Sequence, residues 1–218
     1  MPATLPTILL LCLCSLSAAV SQESATIHLD TTEVPEHDEW GKTAQELLRD
    51  WHPRIANLLS SPGMVPPSEI SLKLKKSETG VGATSGTKIV VSSGWIEMHP
   101  DDFGLVVHEL VHVIQQYPGK NPVWVTEGIA DYMRWAIYEG KPQRLFPVPN
   151  EDDGYTKGYQ AAAGFFLWIE THKSPGIVRR LNTAMRNSDF DPSLFEELTG
   201  SDLAALWKQY TADQRKIK

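Results

Sequence analysis

The spacing of hydrophobic and polar residues predicts a strand-rich part followed by a long helical part. Alternating or short β-branched runs predict strands at residues 25–33, 69–77 and 87–93. Residues 37–59 carry apolar side chains at helical spacing, and Pro53 is expected to kink or divide that helix. Residues 78–86 are rich in Gly and Ser and are assigned to no strand.

The rest of the chain is predicted to be mainly helical. A helix that begins at Pro100 and runs to residue 117 has apolar residues on most sides, which indicates that it is buried. A second helix is predicted at residues 123–140, followed by a loop. Beyond Tyr155 the pattern is helical, with breaks at residues 173–176, 189–192 and 199–202. We therefore expect a single α+β domain at residues 22–218, with a small mixed sheet before the central helix and a mainly helical C-terminal half.

Composition and charge exclude several classes of protein. The 218 residues include 27 acidic and 20 basic side chains, a formal net charge of −7, and no block of Lys or Arg. This balance argues against a surface for nucleic acid or anionic membranes. A hydrophobic content of 41% and seven tryptophans argue against disorder.

The first residues have the pattern of a signal peptide. Residues 1–21 form an apolar run followed by small residues, which predicts cleavage after Ala19 or Ser21 and a secreted protein, extracellular or periplasmic. The run is short for a membrane span, so no membrane contact is expected after cleavage, although an uncleaved anchor is the alternative. Both cysteines, Cys12 and Cys14, lie in this leader. The mature chain is thus expected to lack disulfides, Cys-ligated zinc and a thiol nucleophile.

The central helix carries the sequence His-Glu-Leu-Val-His at residues 108–112. Residues four apart on a helix point the same way, so His108 and His112 can bind one metal ion. Glu109 can then act as the general base on a metal-activated water, as in zinc peptidases. The alternative is a pair of histidines with structural roles beside a solvated glutamate.

The third metal ligand must come from elsewhere. A metzincin has a third His six residues after the second, with a Gly halfway, but Pro118 and Gln115 stand there. The next helix offers Glu127 as a ligand and Asp131, one turn later, as a hydrogen-bond acceptor that orients a histidine. Alternatively, Glu127 interacts only with the helix dipole, and Asp131 pairs with Arg134 or is itself the ligand.

A known family shares these motifs. Residues 106–117 and 123–135, with their H-E-L-V-H and T-E-G-I-A-D-Y sequences, resemble the basic secretory proteins of plants and bacteria, which are classed as zinc peptidases. The resemblance continues at residues 158–170 and 195–210. It implies a zincin-like fold, with Glu127 in the ligand role that a glutamate has in gluzincins.

Hydrolysis also needs a donor for the oxygen of the carbonyl under attack. Tyr159 is predicted to be that catalytic donor, with Tyr155 and His172 as further candidates; a buried structural Tyr159 is the alternative. Residues 87–93 are a candidate edge strand, to which an extended polypeptide substrate could add by main-chain hydrogen bonds.

Together, these features predict a secreted, zinc-dependent peptidase that uses one Zn²⁺ ion and acts on polypeptides. A secreted binding or defence-type module with a structural or vestigial zinc site is the alternative from another class. A zinc hydrolase acting on another amide, such as a cell-wall peptide, is a third interpretation.

Overall fold

A computed structural model describes residues 24–119 and 121–217, so the predicted leader at residues 1–21 lies outside the described residues. The strands are β1 (Thr26–Asp30), β2 (Glu69–Lys75), β3 (Gly82–Ser85) and β4 (Lys88–Ser92). The helices are α1 (Asp38–Leu58), α2 (Ser93–Met98), α3 (Gly104–Gln115), α4 (Val123–Asp131), α5 (Tyr159–His172), α6 (Ile177–Asn187), α7 (Ser193–Thr199) and α8 (Leu203–Ile217). This arrangement confirms the predicted α+β class.

The four strands form one mixed sheet in the order β1-β2-β4-β3. The β1–β2 and β2–β4 pairs are parallel, whereas β3 and β4 are antiparallel, with Thr84 opposite Ile89. The prediction that residues 87–93 form an edge strand is therefore wrong, because β4 lies between β2 and β3. The strand at that edge is β3, in the Gly- and Ser-rich segment that was assigned to no strand.

Helix α1 is continuous through Pro53. A proline removes the helical hydrogen bond to the carbonyl four residues earlier, here that of Arg49. The Ser24 hydroxyl donates a hydrogen bond to this carbonyl. The expected division of the helix is thus absent, and one face, which includes Leu48 and Ile55, is buried in the core.

The helices of the C-terminal half follow the predicted breaks, and α5 lies at their centre. Most of α5 is buried, and its closest neighbour is α4. This close approach depends on Gly128, where an added Cβ would lie 2.6 Å from the Cβ of Ala162 and 2.9 Å from the Phe166 ring. The segment Tyr132–Tyr138 continues α4 as a π-helix. Within the described residues, no helix combines the length and apolar content needed to cross a membrane.

Candidate metal centre

Helix α3 carries the predicted motif and begins later than predicted. Asp102 and His99 close a turn before it, with the Asp102 backbone N–H donating to the His99 carbonyl at 3.1 Å. The Asp102 side chain accepts a hydrogen bond from the Leu105 N–H at 3.3 Å. It also forms a salt bridge with Arg134 at 2.6 Å. Asp102 thus lies just before the helix, and its side chain accepts a hydrogen bond from one of the first backbone N–H groups, which have no partner within the helix.

Three predicted ligands meet at one point. The Nε2 atoms of His108 and His112 are 3.1 Å apart, and the Glu127 Oε2 atom lies 3.3 Å from the first and 3.4 Å from the second. Tetrahedral donors bound to zinc at about 2.0–2.1 Å are separated by about 3.3 Å. The triangle of donor atoms therefore fits one metal ion, and these three residues form a group that could hold it.

The other ring nitrogen of each histidine is engaged in a hydrogen bond. His108 Nδ1 lies 2.8 Å from Asp131 Oδ1, and His112 Nδ1 lies 2.8 Å from Gln115 Oε1. Both acceptors place the proton on Nδ1, which leaves the Nε2 lone pair free for a metal. Gln115 also donates a hydrogen bond to the Thr126 carbonyl at 2.9 Å and so connects α3 to the residue before Glu127.

His108 and Glu127 shift each other's pKa. Burial lowers the pKa of His108, but hydrogen bonds with Asp131 and Glu127 outweigh it and raise this pKa to about 9. Desolvation raises the pKa of Glu127, yet its contacts with His108 and His112 lower it to about 2. Glu127 is thus ionised across the physiological pH range, and a metal ion that binds Nε2 of His108 must displace the second proton of that ring.

Glu109 faces the same cleft, which encloses about 740 Å³. Its side chain is buried, and its Oε2 accepts a hydrogen bond of 2.7 Å from the Thr84 hydroxyl on β3. The position of β3 beside α3 brings this hydroxyl to the carboxylate.

Tyr159 also lines the cleft, at the start of α5, and is 47% exposed. The charge of Glu127 is the main cause that raises its pKa, with a smaller contribution from burial. The interpretation of Tyr159 as a buried structural residue is therefore wrong. Tyr155 instead packs against Trp124, with ring centroids 4.8 Å apart, and His172 donates from Nδ1 to the Trp168 carbonyl.

Two contacts of this site go beyond the sequence predictions. From the sequence, Gln115 is expected to hydrogen-bond a loop near the site and to have no catalytic role; in the structure it contacts the Thr126 carbonyl and His112, whose position three residues earlier on the same helix is a signal that favours contact. Thr84 carried no such signal, because it lies in a segment assigned to no element. Arg134 pairs with Asp102 and Glu139 and not with Asp131.

A peptidase-like centre of this kind agrees with the comparison with known families. The family model described as "Peptidase of plants and bacteria" matches residues 18–210. The chain therefore belongs to this family, the basic secretory proteins that its motifs resemble. The family's description supports a peptidase-like hydrolase with polypeptide substrates. Searches of curated proteins and of solved structures each found no match.

Proposed function

We propose that the protein is a secreted, zinc-dependent peptidase in which His108, His112 and Glu127 bind one Zn²⁺ ion. The observation that carries this proposal is the triangle of donor atoms, with sides of 3.1, 3.3 and 3.4 Å. Membership of a peptidase family supports the reaction class.

The donor set favours zinc over harder cations. Two imidazole nitrogens and one carboxylate suit Zn²⁺, whereas Mg²⁺ and Ca²⁺ prefer oxygen ligands throughout. A zinc ion held by His108, His112 and Glu127 would supply a Lewis acid for the scissile carbonyl and would lower the pKa of water in the cleft toward neutrality.

The chain's own residues divide the remaining work. Glu109 accepts a proton from the attacking water and transfers it to the leaving nitrogen. Asp131 and Gln115 hold the two imidazoles in the orientation that turns Nε2 toward the cleft. Tyr159 donates a hydrogen bond to the carbonyl oxygen as negative charge develops on it.

The edge strand β3 is the proposed docking site for substrate. Residues 81–84 line the cleft, and β3 pairs on one side with β4. An extended peptide can add to the opposite side through main-chain hydrogen bonds, which provides affinity with little side-chain preference.

The location and domain organisation are part of the same proposal. The apolar run and small residues within residues 1–21 support cleavage and secretion. Residues 22–218 then act as a single zincin-like domain. N-terminal sequencing of the protein recovered from culture medium tests this, and a chain that keeps residues 1–21 would contradict it.

The Glu109→Gln variant tests the mechanism. Gln keeps the size of the side chain but cannot accept the proton, so we expect one bound zinc per chain and loss of casein hydrolysis by about 100-fold or more. Glu46→Gln, an exposed change on α1, is the matched control. If Glu109→Gln cleaved casein as fast as wild type, Glu109 would not be the base. One bound zinc with no cleavage of any library peptide by wild type would favour a binding module.

A further inference from the structure

We propose that the edge strand β3 positions the general base, with Thr84 holding the Glu109 carboxylate through its hydroxyl and Gly82 leaving the space that the carboxylate occupies. This inference rests on the proposed peptidase function. It adds Thr84, as a positioning residue, to the proposed metal ligands and the general base Glu109.

The geometry of β3 turns two of its residues toward α3. Gly82 and Thr84 are half-buried, whereas Ala83 and Ser85 between and after them are exposed. Side chains two apart on a strand share one face. Thr84 therefore reaches the Glu109 carboxylate from the same face on which Gly82 lies.

The two residues fix the carboxylate from different sides. The Thr84 hydroxyl lies 2.7 Å from Glu109 Oε2 and 3.1 Å from the carbonyl of the same residue. The hydroxyl has one hydrogen, and the shorter contact to the charged group takes it. A Cβ at Gly82 would lie 2.9 Å from Oε1, which is too close for an ordinary contact. The glycine therefore leaves the space that this oxygen occupies.

This arrangement assigns different tasks to the two carboxylate oxygens. Within the described residues, Oε2 accepts the Thr84 hydrogen bond, and none is formed by Oε1. Oε1 is thus left free to accept the proton from the attacking water. A glutamate side chain has three rotatable bonds, and fixing it before reaction avoids an ordering cost in the transition state.

The same strand would then position both substrate and base. A peptide that pairs with the free edge of β3 is held in a fixed register relative to Thr84, and Thr84 is held against Glu109. Loss of the hydroxyl should therefore reduce the chemical step and leave peptide pairing with β3 unchanged. The expected signature is a lower kcat with little change in KM.

Thr84→Val and Thr84→Ser test the inference in the zinc-loaded enzyme. Val keeps the shape and removes the hydroxyl, so kcat should fall by about 10- to 100-fold, the effect of losing one hydrogen bond to a charged group. KM should stay within about twofold, since ground-state contacts are kept, and Ser should restore most of kcat. Thr43→Val, the same change at an exposed residue of α1, is the matched control and should behave as wild type.

Several results would overturn the inference. An unchanged kcat in Thr84→Val, or an equal loss in Thr84→Ser, would reduce Thr84 to a packing role. If Thr84→Val lowers the melting temperature or the zinc content, Gly82→Ala replaces it as the test of whether β3 positions the Glu109 carboxylate. Its added Cβ should displace Oε1 and lower kcat with zinc retained, and a wild-type kcat would overturn the proposal. An inactive wild type would instead contradict the proposed function itself.

Discussion

The Oδ1 atom of Asp131 lies 2.8 Å from Nδ1 of His108. Asp131 is itself buried, so this contact is sheltered from water. A buried carboxylate fixes both the tautomer and the ring orientation of the imidazole it contacts. This contact makes Asp131 the hydrogen-bond partner of His108, a proposed ligand, and leaves Glu127 as the carboxylate of the group that could hold a metal ion.

Removing this carboxylate should weaken metal binding. We expect Asp131→Ala to lower zinc affinity by about 10- to 100-fold, the usual cost of losing the partner of a ligating histidine. Asp131→Asn should lose less zinc affinity, because the amide oxygen of Asn can still accept the hydrogen bond from His108. Competition with a chromophoric chelator measures both, with the exposed Asp50→Ala as control. Unchanged affinity in Asp131→Ala would contradict this role.

Gln115 should matter for both metal affinity and stability. Its side chain is buried and joins His112 to the Thr126 carbonyl. Gln115→Met keeps the volume but removes the hydrogen bond to that carbonyl and the acceptor for His112 Nδ1, so the free energy of unfolding should fall by about 1–3 kcal/mol. Zinc affinity should also fall. Urea unfolding and chelator competition measure the two effects, and the neighbouring Gln116→Met should show neither.

Part of this site follows directly from the sequence. The four-residue spacing of His108 and His112 and the apolar residues around them predict a buried helix that presents both rings together. Pro118 excludes a metzincin ligand, and the short connection to the next helix favours Glu127. The predicted breaks at residues 173–176, 189–192 and 199–202 separate α5, α6, α7 and α8 as observed.

The rest depends on contacts between distant parts of the chain. Strand β3 is made of Gly, Ala, Thr and Ser, residues with little strand signal as a group, and it exists because it pairs with β4. The hydrogen bond from the Ser24 hydroxyl to the Arg49 carbonyl of α1 joins residues 25 positions apart. The hydrogen bond from Gln115 to the Thr126 carbonyl forms only because α4 packs beside α3. None of these can be read from local periodicity.

The packing of α4 on α5 should determine where Glu127 lies. Gly128→Ala places a Cβ 2.6 Å from that of Ala162, so the helices must separate. Overpacking of this kind costs about 1–3 kcal/mol of stability, and it should also reduce zinc affinity through the adjacent ligand. The double variant Gly128→Ala/Ala162→Gly exchanges the side chains at the two positions. It should recover part of the lost stability and part of the lost zinc affinity. No recovery would mean that the helix contact is not the cause. Thermal unfolding and zinc titration check this.

His52 should contribute to the loss of stability in acid. Burial lowers its pKa below the ordinary value of 6.5 and outweighs a contact with the Pro67 backbone that raises it. The unfolded chain therefore binds more protons as pH falls through about 6.5, so this contribution is complete above that pH and is lost below it. The unfolding free energy of His52→Leu should depend less on pH than that of wild type between about pH 8 and 5. Parallel profiles from urea unfolding would contradict this.

Tyr159 should act in the chemical step. If its hydroxyl donates to the carbonyl oxygen under attack, Tyr159→Phe lowers kcat by about 10- to 100-fold with little change in KM or zinc content. Tyr155→Phe is the matched control, since that ring lies in an aromatic cluster with Trp124. A wild-type kcat in Tyr159→Phe would exclude it as the donor.

Peptide hydrolysis should depend on one zinc ion held by His108, His112 and Glu127. Its most direct test is to remove metal from the wild-type protein with a chelator and to measure casein cleavage during titration with zinc. We expect activity to disappear on metal removal and to return in proportion to bound zinc, reaching its maximum at one ion per chain. Cleavage that persists without metal, or that does not return when one zinc is bound, would contradict it.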